Sequence, residues 1–174
     1  MIRKLDINDS QNLDLVRVLV FNINTNYSKT EKEFWGFGVE RTSVEKFQKE
    51  ILTNTVLVYF ENDQPLGTVV YKVKEGEAMF GMLSVNTDQH GKRIGSLLYK
   101  EMEKQLRELN ISKLKLEILV PRSYESSYKN MILNWYLRIG YKIYERVETE
   151  GLDYFPYQDL LIKSDFLRME KNLS

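Results

Sequence analysis

Cysteine is absent from the 174-residue chain. Disulfides, thiolate metal sites and a cysteine nucleophile are therefore excluded. A single histidine, His90, rules out a multi-histidine metal site. Neither charge sign is in excess, since 25 lysines and arginines balance 25 aspartates and glutamates. Non-specific nucleic-acid binding draws on a basic excess, and none exists here. No apolar run approaches the length of a membrane span. The first residues, Met1-Ile2-Arg3-Lys4-Leu5-Asp6, lack the apolar centre of a signal peptide. These absences point to a cytoplasmic protein with no nucleic acid and no membrane among its partners. Two nucleotide motifs are missing as well: no GxxxxGK[ST] run and no GxGxxG run occurs.

What is present is an ordinary globular mixture, 43% hydrophobic and 29% charged. The length favours one domain, residues 1–174, with a proper core. Ile2 to Leu5 reads as a short strand. Asp9 or Ser10 is placed to cap a helix with Leu13, Val16, Val20 and Ile23 on one face. Asn24 to Gly38, polar and then aromatic, reads as loop. Thr42-Ser43-Val44-Glu45 fits a capping box for a second helix carrying Val44, Phe47, Ile51 and Leu52. Strands follow at Thr55 to Phe60, Gly67 to Lys74 and Glu77 to Val85, separated by turns at Asn62 to Pro65 and at Gly76. Ile94 to Leu109 has the spacing of an amphipathic helix, with Leu98, Met102, Leu106 and Leu109 inward and a Glu103–Arg107 pair outward. Lys113 to Val120 alternates as a strand, placing Leu114, Leu116, Ile118 and Val120 on one face. A short helix from about Met131 stops at Gly140, Tyr141 to Val147 is a strand, and Asp165 to Glu170 is the last. The pattern predicts an α+β domain around one mixed sheet.

The segment Leu83-Ser84-Val85-Asn86-Thr87-Asp88-Gln89-His90-Gly91-Lys92-Arg93-Ile94-Gly95 joins a strand to the long amphipathic helix. A glycine-containing turn at a helix N-terminus directs several unpaired backbone N–H groups at one point, and the helix dipole adds positive potential there. Such a turn suits a phosphate. Its residues resemble the acetyl-CoA-binding motif of the GCN5-related N-acetyltransferases (GNAT family), [QR]xxGx[GA] after a strand ending in an L-x-V step. Leu83-Ser84-Val85 matches that step and Gly95 the last position. His90 replaces Gln or Arg, and Arg93 replaces the first glycine. Downstream, Asn134-Trp135-Tyr136-Leu137-Arg138-Ile139-Gly140-Tyr141 is similar to the family's second signature, a helix ending in Y-x-x-x-G-[FY]. The element order matches too, so the resemblance covers nearly the whole chain.

The resemblance implies a GNAT-like fold, with a mixed, mostly antiparallel central sheet flanked by helices. It implies acetyl-CoA as co-substrate and a primary amine, of a small molecule or peptide, as acceptor. Cofactor contacts would come from Leu83, Ser84 and Val85 along the strand and from His90, Gly91, Lys92, Arg93, Ile94, Gly95 and Ser96 in the turn. The family's usual Asn falls here on Lys129, with Asn130 one residue late; Asn130 is carried over as the candidate contact. The connection from Pro121 to Lys129 is expected to be longer than usual. A homodimer is reasonable on the same grounds.

An amine with a pKa near ~10.4 must lose a proton before it attacks a thioester, and the departing thiolate must gain one. Tyr136 stands where the family has a general acid; it can equally be a core tyrosine. Glu117, in Leu116-Glu117-Ile118, resembles the L-E-V step that carries a base in some members; it can equally be a strand glutamate paired with a lysine. Glu77 is a lesser candidate. His90, in the phosphate turn, reads as a phosphate contact or a surface residue. The backbone N–H near Leu83 is placed to stabilise the carbonyl oxygen. Glu33-Phe34-Trp35-Gly36-Phe37-Gly38 and the acidic, aromatic segment Glu148 to Tyr157 are candidate walls for the acceptor, or aromatic anchors to the core. A non-catalytic acyl-CoA-binding module is the alternative to an enzyme.

Overall fold

The computed structural model describes residues 1–36 and 38–174. Strand β1 (Ile2–Lys4) leads into helices α1 (Ile7–Gln11), α2 (Leu13–Thr30) and α3 (Val44–Thr53). A meander follows: β2 (Thr55–Glu61), β3 (Gln64–Lys74) and β4 (Glu77–Val85). Then come α4 (Ile94–Glu108), β5 (Lys113–Pro121), α5 (Ser127–Arg138), β6 (Lys142–Glu148) and β7 (Ser164–Asn172). All seven strands join one sheet in the order β1-β2-β3-β4-β5-β7-β6. Every pairing is antiparallel except β4 with β5, which is parallel. The α+β mixed sheet expected from the sequence is the fold observed.

The sheet is covered on both faces. Leu57, Val69, Leu114, Leu116, Ile118 and Met169 pack on one face with α4 residues Leu98, Met102 and Leu106 and α5 residue Tyr136. Val56, Val58 and Val70 pack on the other with Val16, Leu19, Ile23, Phe47 and Ile51 of α2 and α3. A third cluster joins Phe34, Leu119 and Phe166, with Phe34 fully buried. Strict alternation along β5 therefore feeds two cores, the even positions one and Leu119 the other. No helix among the described residues is long and apolar enough to cross a membrane.

Several boundaries differ from the sequence reading. Asp6 caps α1, accepting from Asn8 and Asp9 amides, while Asp9 returns the bond as the third helical residue and pairs with Arg3. Asn12 starts a separate α2, so neither Asp9 nor Ser10 is the cap. The helix α2 continues to Thr30 through a stretch of poor helix formers whose composition favours loop. Tertiary bonds hold it: the side-chain amide nitrogens of Asn22, Asn24 and Asn26 donate to Pro65 O, Thr42 O and Ser84 Oγ at 3.0, 2.9 and 2.8 Å. Ser43, accepting from Lys46 N, caps α3 without a reciprocal glutamate. Ser126 caps α5 from Ser127, so the connection before it is short rather than long.

Gly67 sets how close α4 lies. A Cβ there would meet Ile94 Cγ2 at 3.0 Å, Leu98 Cδ1 at 3.1 Å and the Ser84 carbonyl at 3.1 Å. The first two contacts belong to the opening turns of α4, and the third to β4. Gly67→Ala is expected to lower unfolding stability in urea by about 1–3 kcal/mol, as overpacking does, and to weaken coenzyme A binding by displacing the N-terminus of α4.

Candidate active site

The parallel strands β4 and β5 pair only at Glu77↔Lys113, Ala78↔Leu114 and Met79↔Lys115. Beyond Met79 they separate, and each continues with its facing backbone edge unpaired. A bulge in β4 follows the point of separation. Thr68 pairs with Ser84 and Val70 with Gly81, so Met82 and Leu83 together oppose one β3 residue, and Met82 adopts φ 48°. A bulge adds local twist and frees backbone groups from the ladder. The side chain of Met82 packs on the α2 side, and those of Leu83 and Val85 on the α4 and α5 side. Ser84 is buried against Asn26 on α2, so it meets a ligand only through its backbone.

At the end of β4 the chain makes one tight turn, Thr87–Gln89, and enters α4. Gly91 has φ 87° and Arg93, the N-cap, φ 62°. No side chain caps this helix. The first amide to find a helical acceptor is that of Leu97, bonded to Arg93 O at 3.0 Å. The amides of Gly91 and Arg93, and those of Ile94, Gly95 and Ser96, are free of protein acceptors among the described residues. Left-handed backbone beside helical backbone forms a concave anion nest. Arginine at positive φ costs about 1–2 kcal/mol, so the position needs the conformation that glycine adopts freely. Lys92 is exposed. The His90 imidazole is exposed and folds back to the Val85 carbonyl at 3.2 Å, on the turn itself.

Tyr136 lies on α5 with its ring against Phe80 of β4, Trp135 and Tyr141, at centroid distances of 6.0, 4.8 and 5.4 Å. Phe80 stands where β4 begins to leave β5, so Tyr136 flanks the opening. Burial, and then the neighbouring Tyr27, Tyr99 and Tyr128, push its phenol well above the usual value. Its hydroxyl has no hydrogen-bond partner among the described residues. Glu117 projects from the opposite face of β5, between Leu116 and Ile118. Arg168 Nε donates to its Oε1 at 2.9 Å and the Tyr154 hydroxyl to the same atom at 3.1 Å. The second oxygen, Oε2, accepts from no described residue. Arg168 also holds Glu145 at 2.8 Å. Glu77 sits at the closed end of the β4–β5 pair, tied to Lys115 and Lys113, and is remote from the opening.

Asn130 donates its side-chain amide to Glu125 at 3.3 Å. Lys129 instead points inward. Its ammonium pairs with Glu31, both side chains being buried, and lies 5.0 Å over the Phe34 ring. Trp35 Nε1 donates to the other Glu31 oxygen at 2.9 Å. Glu33 accepts from Ser126 Oγ at 2.6 Å and from the Tyr124 hydroxyl at 2.9 Å. These bonds fasten the end of α2 to the start of α5 across the gap. The sequence reading missed this pair; the only signal was a lysine in the family's Asn position. Phe34 and Trp35 are thus anchors to the core, and Phe37 lies outside the described residues. Gly151 to Gln158, with Lys46 of α3, borders an open groove of about 450 Å³.

Residues 24–126 match the acetyltransferase (GNAT) family model, more than half of the chain. The protein belongs to the GNAT family of acetyltransferases. Among solved structures it is similar to the PaiA N-acetyltransferase of Thermoplasma acidophilum in complex with coenzyme A, at 23% identity and TM-score 0.72 over 99% of this chain and 98% of that one. It is also similar to smu.2055 of Streptococcus mutans, at 16% identity and TM-score 0.72 over 100% and 99% of the two chains. The ribosomal-protein-S18-alanine N-acetyltransferase of Escherichia coli aligns at 14% identity and TM-score 0.70 over 100% and 94%. At these identities the structures share the fold. No curated protein sequence matches the chain. The family match ends before α5, so it does not reach Tyr136.

Two outcomes follow from this geometry. Lys129→Met leaves the Glu31 carboxylate buried without a counter-charge and is expected to destabilise by about 3–5 kcal/mol in urea unfolding; adding Glu31→Gln, which still accepts from Trp35, should restore most of it. Arg93→Gly is expected to stabilise the free protein by about 1 kcal/mol through relief of the left-handed strain. The same change should weaken coenzyme A binding, more so at low salt, by removing a charge from the turn.

Proposed function

We propose that residues 1–174 form a single acetyltransferase domain that moves the acetyl group of acetyl-CoA to a primary amine by direct attack, without a covalent enzyme intermediate. The observation that carries this reading is the gap between β4 and β5. It runs from a nest of free amides at the start of α4 to a tyrosine hydroxyl that no described residue engages. Backbone amides of Gly91 and Arg93 to Ser96, with charge from Lys92 and Arg93, fit a diphosphate. The unpaired edge of β4 at Leu83 and Val85 fits an extended amide-containing arm laid beside it as an extra strand. Acetyl-CoA bound there supplies an activated acetyl thioester.

The chain's own groups then handle protons and charge. Burial drives the Tyr136 pKa upward, which favours the protonated phenol. It can therefore donate to a leaving sulfur. The Leu83 amide, released by the bulge, is a donor for a developing oxyanion. Glu117 can accept the amine proton through Oε2 while Arg168 and Tyr154 fix Oε1. That same anchoring supports a second reading, in which Glu117 is structural and the domain binds acyl-CoA without turnover.

Thiol release from acetyl-CoA, measured across polyamines, amino acids, aminoglycosides and peptides, separates the two. The enzyme reading expects one amine class to consume the thioester. Tyr136→Phe should lower kcat by about 10²-fold or more, with Glu117→Gln similarly impaired. Coenzyme A binding without turnover of any amine favours the binding module. Because Tyr136 is held above its ordinary value, the rate should climb as the acceptor amine deprotonates toward about pH 10 with no descending limb from this phenol. Tyr136→Phe should lower that curve without changing its shape.

A further inference from the structure

Lys29 lies in the last turn of α2, where a cation suits the negative end of the helix dipole. Its ammonium, however, leaves the helix. It donates to Thr87 Oγ1 at 2.9 Å, 58 residues on. Thr87 opens the turn between β4 and α4. That turn is one hydrogen-bonded piece. Asn86 N donates to Leu66 O at 2.9 Å, Gln89 N to Asn86 O at 2.8 Å, His90 N to Thr87 O at 3.4 Å and Lys92 N to Gln89 O at 3.3 Å. Thr87 therefore belongs to the same rigid segment as the amides of Gly91 and of Arg93 to Ser96. The course of α2 brings Lys29 to it. Asn26, one turn earlier on the helix, donates to Ser84 Oγ at 2.8 Å. Three residues along α2, and three along the strand and turn, lead from that bond to Lys29 and Thr87. The helix thus runs beside the end of β4 toward the turn. It packs on the sheet face opposite α4, so Lys29 reaches the turn from the other side of the strand.

A neutral hydroxyl is a weaker partner for an ammonium than an anionic oxygen. Lys115, Lys129 and Lys171 hydrogen-bond to carboxylates, whereas Lys29 pairs with no carboxylate among the described residues. Thr87 takes one of its three N–H donors. The other charged and titratable groups of the turn are Asp88, His90, Lys92 and Arg93. Asp88 is exposed, and its Oδ2 accepts from Gln89 Nε2 at 2.9 Å. Against that single acid stand Lys29, Lys92 and Arg93, which leaves the turn cationic. Beyond Lys29 in the chain, Glu31 is bound to Lys129 and Lys32 is a further exposed cation. We propose that Lys29 is a coenzyme-binding residue, its ammonium held at Thr87 ready to engage the diphosphate that the amides at the start of α4 accept. This rests on the acetyl-CoA reading and adds to that site a residue from an element outside both motifs. The Thr87 bond keeps a long, flexible side chain beside the turn before any ligand arrives, which lowers the entropy lost on binding.

The test titrates coenzyme A and dephospho-coenzyme A into the protein by calorimetry. The two ligands share the diphosphate and differ in the ribose phosphate. The native protein, Lys29→Gln, Lys29→Arg and Thr87→Val are compared at low and at higher salt, with urea unfolding of each to check that the fold is kept. Lys29→Gln is expected to raise Kd by about fivefold to tenfold for both ligands and to flatten the salt dependence of binding. Lys29→Arg should keep most of the affinity. Thr87→Val breaks the same contact but retains the ammonium, so its Kd should stay near the native value. Equal losses in Lys29→Gln and Thr87→Val mean that the contact only straps α2 to the turn, and overturn the inference. A loss in Lys29→Gln seen with coenzyme A but not with dephospho-coenzyme A overturns the assignment to the diphosphate. Unchanged binding by Lys29→Gln overturns the inference and leaves the acetyl-CoA reading intact. If the native protein binds neither ligand, the acetyl-CoA reading fails and the inference falls with it.

Discussion

The parting of β4 from β5 governs this molecule. A sheet interior normally satisfies both edges of every strand, because an unpaired buried amide or carbonyl costs as much as a lost hydrogen bond. Here two central strands leave one another after three paired positions, and the backbone edges so exposed face a crevice instead of each other. Both flanking layers are needed to keep the gap open. The helix α2 reaches β4 through Asn26 and Ser84, and α5 through the rings of Tyr136 and Phe80. The Glu31–Lys129 and Glu33–Ser126 bonds then tie the two layers together over the opening.

Backbone strain is distributed in keeping with this. Asn62, Asp63, Glu75 and Asn110 have positive φ at turns, where the asparagine and aspartate side chains tolerate it best. Met82 and Arg93 do not have that excuse. One sits in the bulge that follows the parting of the sheet and the other caps the helix that starts beyond it. Strain held at such positions persists only where the surrounding packing determines it. Gly67, by letting α4 press onto β3, supplies part of that packing.

Much of this was legible in the chain. The alternation in Lys113 to Val120 and the spacing in Ile94 to Leu109 fix β5 and α4, since both are dictated by local period and burial. The motif residues located the turn at Gly91 to Gly95 and the tyrosine on α5. Helix α2 was harder. Asn22, Asn24 and Asn26 argue locally for loop, and only partners distant in sequence, Pro65, Thr42 and Ser84, make them helical. The start of α5 was obscured in the same way, because Ser126 is an inconspicuous cap among several serines. Arg168 and Tyr154 around Glu117 come from two further segments, so no spacing rule reveals them. Lys29 likewise meets Thr87 only once α2 has been laid beside β4.

The buried Glu31–Lys129 couple has a consequence for how this sequence can drift. Where relatives carry a neutral amide at the position of Lys129, an ancestor exchanging one for the other would have passed through a chain with one ion stranded inside. Such an intermediate is expected to fold poorly whichever charge is lost first, so the two sites are expected to have changed nearly together. Residues far apart in the chain are thereby bound into a single heritable unit, and a comparison of descendants should find them switching as a pair.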